Sequence, residues 1–97
     1  MIVVNRHDSG INITGHAHYA EPGKDIVCAG ISALVQNLIQ SIEELTTDQI
    51  QYVMSPGKVD INFGNLSERA QLLADSFFVG VGLIADNYPD NVKVTKH

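Results

Sequence analysis

The spacing of apolar residues predicts two β-hairpins, two helices and a final strand. Residues 1–14 carry β-branched and alternating side chains on either side of the turn-forming run Asp8-Ser9-Gly10, which is typical of a hairpin. Residues 49–63 repeat this arrangement around Ser55-Pro56-Gly57-Lys58, a strong turn. The predicted strands are 1–6, 11–14, 49–54, 59–63 and 91–96.

Apolar residues three and four positions apart predict two helices, from Ile26 to about Glu44 and from Leu66 to about Ala85. Asp25 precedes the first helix as a predicted N-cap, and Asn65 with Glu68 predicts a capping box for the second. The predicted buried positions of the first helix are Val27, Ile31, Leu34, Val35, Leu38 and Ile42. Those of the second helix are Leu66, Ala70, Leu73, Phe77, Val81 and Ile84.

The resulting order is ββαββαβ, which indicates an α+β fold in two layers. Two helices packed against one face of a mixed or antiparallel sheet bury the apolar positions most economically. A chain of 97 residues forms one domain, so residues 1–97 are predicted to be a single unit.

Composition and charge narrow the class of protein. The net charge is −5, and the six Lys and Arg residues are scattered, so we expect no direct nucleic-acid partner. A single cysteine excludes an internal disulfide. Residues 1–7 lack the pattern of a signal peptide, and no stretch is expected to span a membrane, the nearest being Leu72 to Ala85. We therefore expect a soluble cytoplasmic protein.

The candidate chemistry lies between Gly15 and Ser32. If Asp25 caps the first helix, Cys28 falls in its first turn, where free N–H groups and the helix dipole favour a thiolate. His16 follows Gly15 at the predicted end of a strand, so a thiol and a base are available for nucleophilic catalysis. Ser32 shares the helix face of Cys28 and could bond either the thiolate or its own backbone.

Other interpretations of these residues stay open at this point. A lone cysteine is most often a buried hydrophobic residue. His16, His18 and Cys28 could instead supply three ligands to a zinc ion. The polar segment from His18 to Lys24 is either an ordinary surface connection or a flap over the site.

The segment from Gly15 to Leu34 resembles the signature of the Prp family, the ribosomal-processing cysteine proteases of bacteria. The residues that carry the resemblance are Gly15-His16-Ala17-His18-Tyr19-Ala20, Gly23, Asp25-Ile26-Val27-Cys28-Ala29 and Ser32-Ala33-Leu34. Chain length, the element order and Tyr88-Pro89 before a final strand agree with it, so the resemblance covers nearly the whole chain.

The resemblance implies a cysteine endopeptidase with Cys28 as nucleophile and His16 as the base that moves its proton. Supporting roles fall on Gly15, Asp25 and Ser32, with Asp25 expected to orient His16 as well as cap the helix; His18 is a rival base. Backbone N–H groups at the start of the first helix are candidate oxyanion donors. The implied substrate loop comprises Tyr19, Ala20, Glu21, Pro22, Gly23 and Lys24.

The implied substrate is the precursor of large-subunit ribosomal protein twenty-seven, whose N-terminal extension is removed. The resemblance also implies a homodimer, and it calls for no cofactor or metal. The alternative is a non-catalytic, ribosome-associated interaction module in which Cys28 is a buried thiol.

Overall fold

The computed structural model describes residues 1–96 and contains five strands and two helices in the predicted order. The elements are β1 (Ile2–His7), β2 (Gly10–Thr14), α1 (Ile26–Leu45), β3 (Ile50–Ser55), β4 (Lys58–Phe63), α2 (Glu68–Asn87) and β5 (Val92–Lys96). The order ββαββαβ is therefore confirmed.

The strands form one mixed sheet in the order β3-β4-β2-β1-β5. β5 runs parallel to β1, and the remaining neighbours are antiparallel. Val4 lies opposite Ile13, and Ile11 lies opposite Ile61, so these side chains share one face of the sheet. They are all buried in the same core as the apolar stripes of α1 and α2. The predicted α+β architecture, with both helices over one face, is confirmed.

The two helices approach each other over small residues. A Cβ atom on Gly80 of α2 would lie 3.0 Å from Leu34 of α1, and one on Gly30 of α1 would lie 3.2 Å from Ile84 of α2. Each glycine thus accepts an apolar side chain from the opposite helix. The predicted stripe of α1 is buried except for half-buried Leu34, and Ile39 joins it.

The start of α2 differs from the prediction. The helix begins at Glu68, and Ser67 is its N-cap, because the Ser67 hydroxyl accepts a hydrogen bond from the Ala70 N–H at 3.1 Å. The Asp48 carboxylate accepts the Ser67 N–H at 2.7 Å, so a residue after α1 fixes the cap. The predicted capping box at Asn65 is therefore wrong, since a long-range contact selects the later residue.

The expectation that no stretch could span a membrane is also corrected. α1 is long and apolar enough to do so by length and composition. The core helix of a globular protein passes the same test, and six side chains of α1 belong to the core beneath it. Composition alone is therefore weak evidence for a membrane here.

Candidate active site

The N-terminus of α1 places the thiol. Asp25 adopts an extended conformation as N-cap, and its Oδ1 accepts the N–H groups of Val27 and Cys28 at 3.0 Å each. The predicted cap is confirmed. Cys28 is consequently the third residue of the helix, where the dipole favours negative charge, and its side chain is half-buried rather than part of the core.

A backbone donor is directed at the thiol sulfur. The Ala17 N–H donates to Cys28 Sγ over 3.4 Å, and such a donor stabilises negative charge on sulfur. The Ala17 carbonyl accepts a hydrogen bond from the Asn91 side chain at 2.9 Å. The segment after β2 is therefore held between α1 and the start of β5, and this contact sets the position of the Ala17 N–H.

His16 lies against the turn between β3 and β4. Gly15 donates its N–H to the carbonyl of Gly57 at 2.9 Å, which joins the histidine segment to that turn. Gly57 has φ +73°, and a Cβ atom there would lie only 2.7 Å from His16 Nε2. Gly15 has φ +92°, and a Cβ atom there would collide with the carbonyl of Met1. Both glycines are needed for the chain to bring His16 to this place.

Cys28 and His16 line the same two cavities. The first, of about 260 Å³, extends from them across Met54 and Gly57 to apolar side chains of the core. The second, of about 530 Å³, lies beneath the segment from His18 to Gly23. Within residues 1–96, Cys28 and His16 share no direct hydrogen bond; catalytic contacts often tighten only when substrate binds.

Ser32 and His18 occupy different places relative to this pair. Ser32 lines both cavities, whereas His18 lines only the second. His18 has a positive φ of 56°, and its ring centroid lies 6.1 Å from that of His16. Among residues 1–96, no three His, Cys, Asp or Glu side chains form a group that could hold a metal ion. The zinc interpretation of His16, His18 and Cys28 therefore finds no support.

The second oxygen of Asp25 anchors the predicted substrate loop. Oδ2 accepts the N–H groups of Tyr19 at 2.9 Å and Ala20 at 3.2 Å. Desolvation raises the pKa of Asp25, but the backbone donors Cys28, Ala20, Tyr19 and Val27 outweigh it and leave the pKa below its ordinary value of 3.8. Because both oxygens accept backbone N–H groups, the carboxylate is committed to the helix and the loop.

The same contacts bear on the candidate oxyanion donors. The N–H groups of Val27 and Cys28 already donate to Asp25 Oδ1, and that of Ala29 donates to the Asp25 carbonyl. The start of α1 therefore uses these donors internally. Ala17, whose N–H faces the sulfur itself, was not foreseen from the sequence.

Comparison with known proteins decides the family. The family model described as cysteine protease Prp matches residues 1–93. The chain belongs to the Prp family. The ribosomal processing cysteine protease Prp of Bacillus subtilis is 32% identical over 102 aligned residues, which cover 92% of this chain and 88% of that protein.

Two solved structures resemble the whole chain. Both are of an essential ribosomal processing protease Prp from Staphylococcus aureus, and each alignment covers 100% of both chains. The structure with a covalently linked product peptide has a TM-score of 0.95 at 27% identity, and the structure with a substrate peptide has 0.88 at 26%. The Prp fold and the cysteine protease class are thus shared along the full length.

The Prp motif contains the candidate catalytic residues but not the residues that hold them in place. Asn91, Gly57 and Tyr88 were missed as site residues. Asn91 donates a hydrogen bond to Ala17, Gly57 leaves room for the His16 ring, and the centroid of the Tyr88 ring lies 5.2 Å from that of Tyr19. Only the turn signals at Pro56-Gly57 and Tyr88-Pro89 mark these places in the sequence, and neither signal points to a distant histidine or cysteine.

Proposed function

We propose that this Prp-family chain is an endopeptidase that removes the N-terminal extension of large-subunit ribosomal protein twenty-seven, with Cys28 as nucleophile and His16 as general acid and base. One observation supports these roles. The Cys28 sulfur accepts a hydrogen bond from the Ala17 N–H at the N-terminus of α1, and Cys28 lines both cavities together with His16. The substrate rests on the relatives, which are named ribosomal processing proteases.

The reaction follows from these positions. His16 takes the proton of the Cys28 thiol, and the thiolate attacks the scissile carbonyl carbon to form a C–S bond. His16 then returns the proton to the amine nitrogen as the C–N bond breaks, which leaves a thioester on Cys28. A water molecule, deprotonated by His16, hydrolyses the thioester and restores the thiol. Ser32 lines both cavities, and its hydroxyl is the side-chain donor we assign to the developing negative charge.

His16 is preferred over His18 as the base because His16 alone reaches both cavities that Cys28 lines. The two residues provide matched variants. His16→Ala should abolish cleavage, whereas His18→Ala should retain most of the wild-type kcat/KM. An inactive His18→Ala beside an active His16→Ala would reverse the assignment.

The experiment that tests the function is cleavage of the full-length ribosomal protein precursor, followed by mass spectrometry. Wild type should make a single cut near the N-terminus, and Cys28→Ala should make none. Labelling with iodoacetamide runs in parallel, and we expect the half-buried thiol to react in the folded protein. An uncut precursor together with an unreactive thiol would leave the interaction module as the better description.

We also propose that the protein is a homodimer, as the resemblance implies, and that it is cytoplasmic. Support comes from Leu72, Val79 and Leu83, which share one face of α2 and are 69%, 66% and 60% exposed. Analytical ultracentrifugation of wild type should give a dimer, and Val79→Glu should shift it to monomer. Gln36→Glu, on the exposed side of α1, is the control and should remain dimeric.

A further inference from the structure

The sheet has one edge that is open and uncharged. β3 lies at the end of the strand order, so only β4 pairs with it in the described chain. Its sequence, Ile-Gln-Tyr-Val-Met-Ser, contains no charged residue. Tyr52, Val53 and Met54 are 45%, 68% and 43% exposed. An exposed, apolar edge strand favours pairing with another extended chain.

The opposite edge is protected. β5 carries exposed Lys93 and Lys96, and α2 packs against it. Lysines on an edge strand discourage pairing with a further strand. The two edges of the sheet therefore differ: β5 is protected against pairing with a further strand, and β3 is not.

The hydrogen-bond pattern identifies the free backbone groups of β3. In an antiparallel pair, facing residues alternate between hydrogen-bonded and non-hydrogen-bonded pairs. Phe63 lies opposite Ile50, but its N–H donates to the Ser9 carbonyl on the β2 side at 2.9 Å. The pair is thus a non-hydrogen-bonded one, and alternation directs the N–H and C=O groups of Ile50, Tyr52 and Met54 away from β4.

This edge leads to the candidate active site. Met54 and Ser55, at the end of β3, line the cavity that also contains Cys28 and His16. The turn that follows holds Gly57 against the His16 ring. An extended chain paired along β3 would consequently continue into the cavity beside the thiol.

We propose that the peptide substrate binds as a sixth strand on the outer edge of β3, and that its backbone pairs with Tyr52 and Met54 to deliver the scissile carbonyl to Cys28; this inference rests on the proposed protease function. Strand addition of this kind takes affinity from main-chain hydrogen bonds and specificity from alternate side chains. Because β3 is uncharged and the cavity beyond it is mainly apolar, the segment that pairs is an uncharged, extended one.

An N-methyl scan of the substrate tests the pairing. The probes are synthetic peptides that span the N-terminal extension and cleavage site of the ribosomal protein precursor. Each peptide carries one backbone N-methyl group, and the methylated position moves residue by residue along both sides of the cut, leaving out the two residues that flank the scissile bond. The affinity of each peptide for Cys28→Ala is measured by fluorescence anisotropy. On the side of the cut that pairs with β3, N-methylation should weaken binding about fivefold or more at every second residue and little at the residues between. Loss without a period of two overturns the proposal.

A matched pair of variants tests the strand itself. Tyr52→Pro removes an outward N–H without removing a β3–β4 hydrogen bond, and Tyr52→Thr replaces the aromatic ring but keeps the N–H. We expect kcat/KM for the peptide to be at least about fivefold lower in Tyr52→Pro than in Tyr52→Thr, with both thermal transitions intact. Equal kcat/KM in the two folded variants overturns the strand pairing alone, whereas a wild type that leaves the precursor uncut overturns the proposed function. If Tyr52→Pro does not fold, the N-methyl scan decides.

Discussion

Replacement of Gly57 by alanine tests whether the β3–β4 turn positions His16. The turn lies about forty residues from the histidine in sequence, yet a Cβ atom at Gly57 would meet His16 Nε2 at 2.7 Å, Cε1 at 3.3 Å and Cδ2 at 3.4 Å. Ordinary contacts begin near 3.4 Å, so the ring must withdraw by about 0.7 Å at its nearest atom. His16 is exposed and has room to withdraw.

Two effects of Gly57→Ala can be separated by their size. The left-handed conformation, φ +73°, costs alanine about 1–2 kcal/mol relative to glycine, which corresponds to a fall in Tm of about 4–16 °C for a domain of this length. Displacement of a catalytic group by about 1 Å can lower the rate by about a hundredfold. For a displacement of about 0.7 Å, we expect kcat/KM to fall about ten- to a hundredfold.

The assay is kcat/KM for the precursor peptide at a temperature well below each Tm. Gly57→Asn is the matched variant, because asparagine tolerates positive φ better than alanine but carries the same Cβ atom. It should recover part of the lost Tm and none of the lost activity. Wild-type kcat/KM in a folded Gly57→Ala would show that His16 is not held by this contact, or that its position does not limit catalysis.

Three further predictions concern other contacts of the fold. Asn91→Ala frees the Ala17 carbonyl and should lower kcat/KM about tenfold, with Asn65→Ala as an unaffected control. Ile42→Ala, at a fully buried site in α1, should lower the free energy of unfolding in urea by about 2–5 kcal/mol, whereas Leu45→Ala, 57% exposed, should change it by less than about 0.5 kcal/mol. The pKa of Asp25 is lower in the folded than in the unfolded protein, so its stabilising effect is present above the unfolded value near 3.8 and is lost as pH falls through the lower folded value. The difference in Tm between wild type and Asp25→Ala should therefore be largest above about pH 4 and shrink below it. A constant difference down to pH 2 would contradict this.

Most of the fold could be predicted because the apolar periodicity is local and consistent. The second hairpin has a strong turn at Pro56-Gly57, and the strands on either side alternate, so the structure differs little from the prediction there: β3 is shifted by one residue, and β4 begins one residue earlier and ends at Phe63 as predicted. The start of α2 could not be predicted, because Asn65 and Ser67 are both good caps. Asp48 decides between them through its hydrogen bond to the Ser67 N–H, and the sequence gives no measure of that contact.

In the candidate site too, positions set by local contacts could be predicted, and positions set by distant contacts could not. The Cys28 position follows from the Asp25 cap, which is local, and the cap is present as predicted. The placement of His16 depends on Gly57, and the Ala17 N–H depends on Asn91, which is 74 residues away in sequence. Asp25 was also expected to orient His16. The sequence does not reveal that the second carboxylate oxygen of Asp25 accepts hydrogen bonds from the Tyr19 and Ala20 N–H groups.

The position of Asp25 links the loop to the nucleophile through one carboxylate. Oδ1 holds the helix turn that carries Cys28, and Oδ2 holds the loop at Tyr19 and Ala20, so movement of the loop away from α1 must break bonds to an acceptor that also caps the helix. Residues of the loop line the larger of the two cavities that Cys28 lines. A substrate that displaces the loop therefore frees Oδ2 but leaves the Cys28 N–H bonded to Oδ1. A loop movement that breaks only the bonds to Oδ2 would thus leave the thiol in place at the helix terminus.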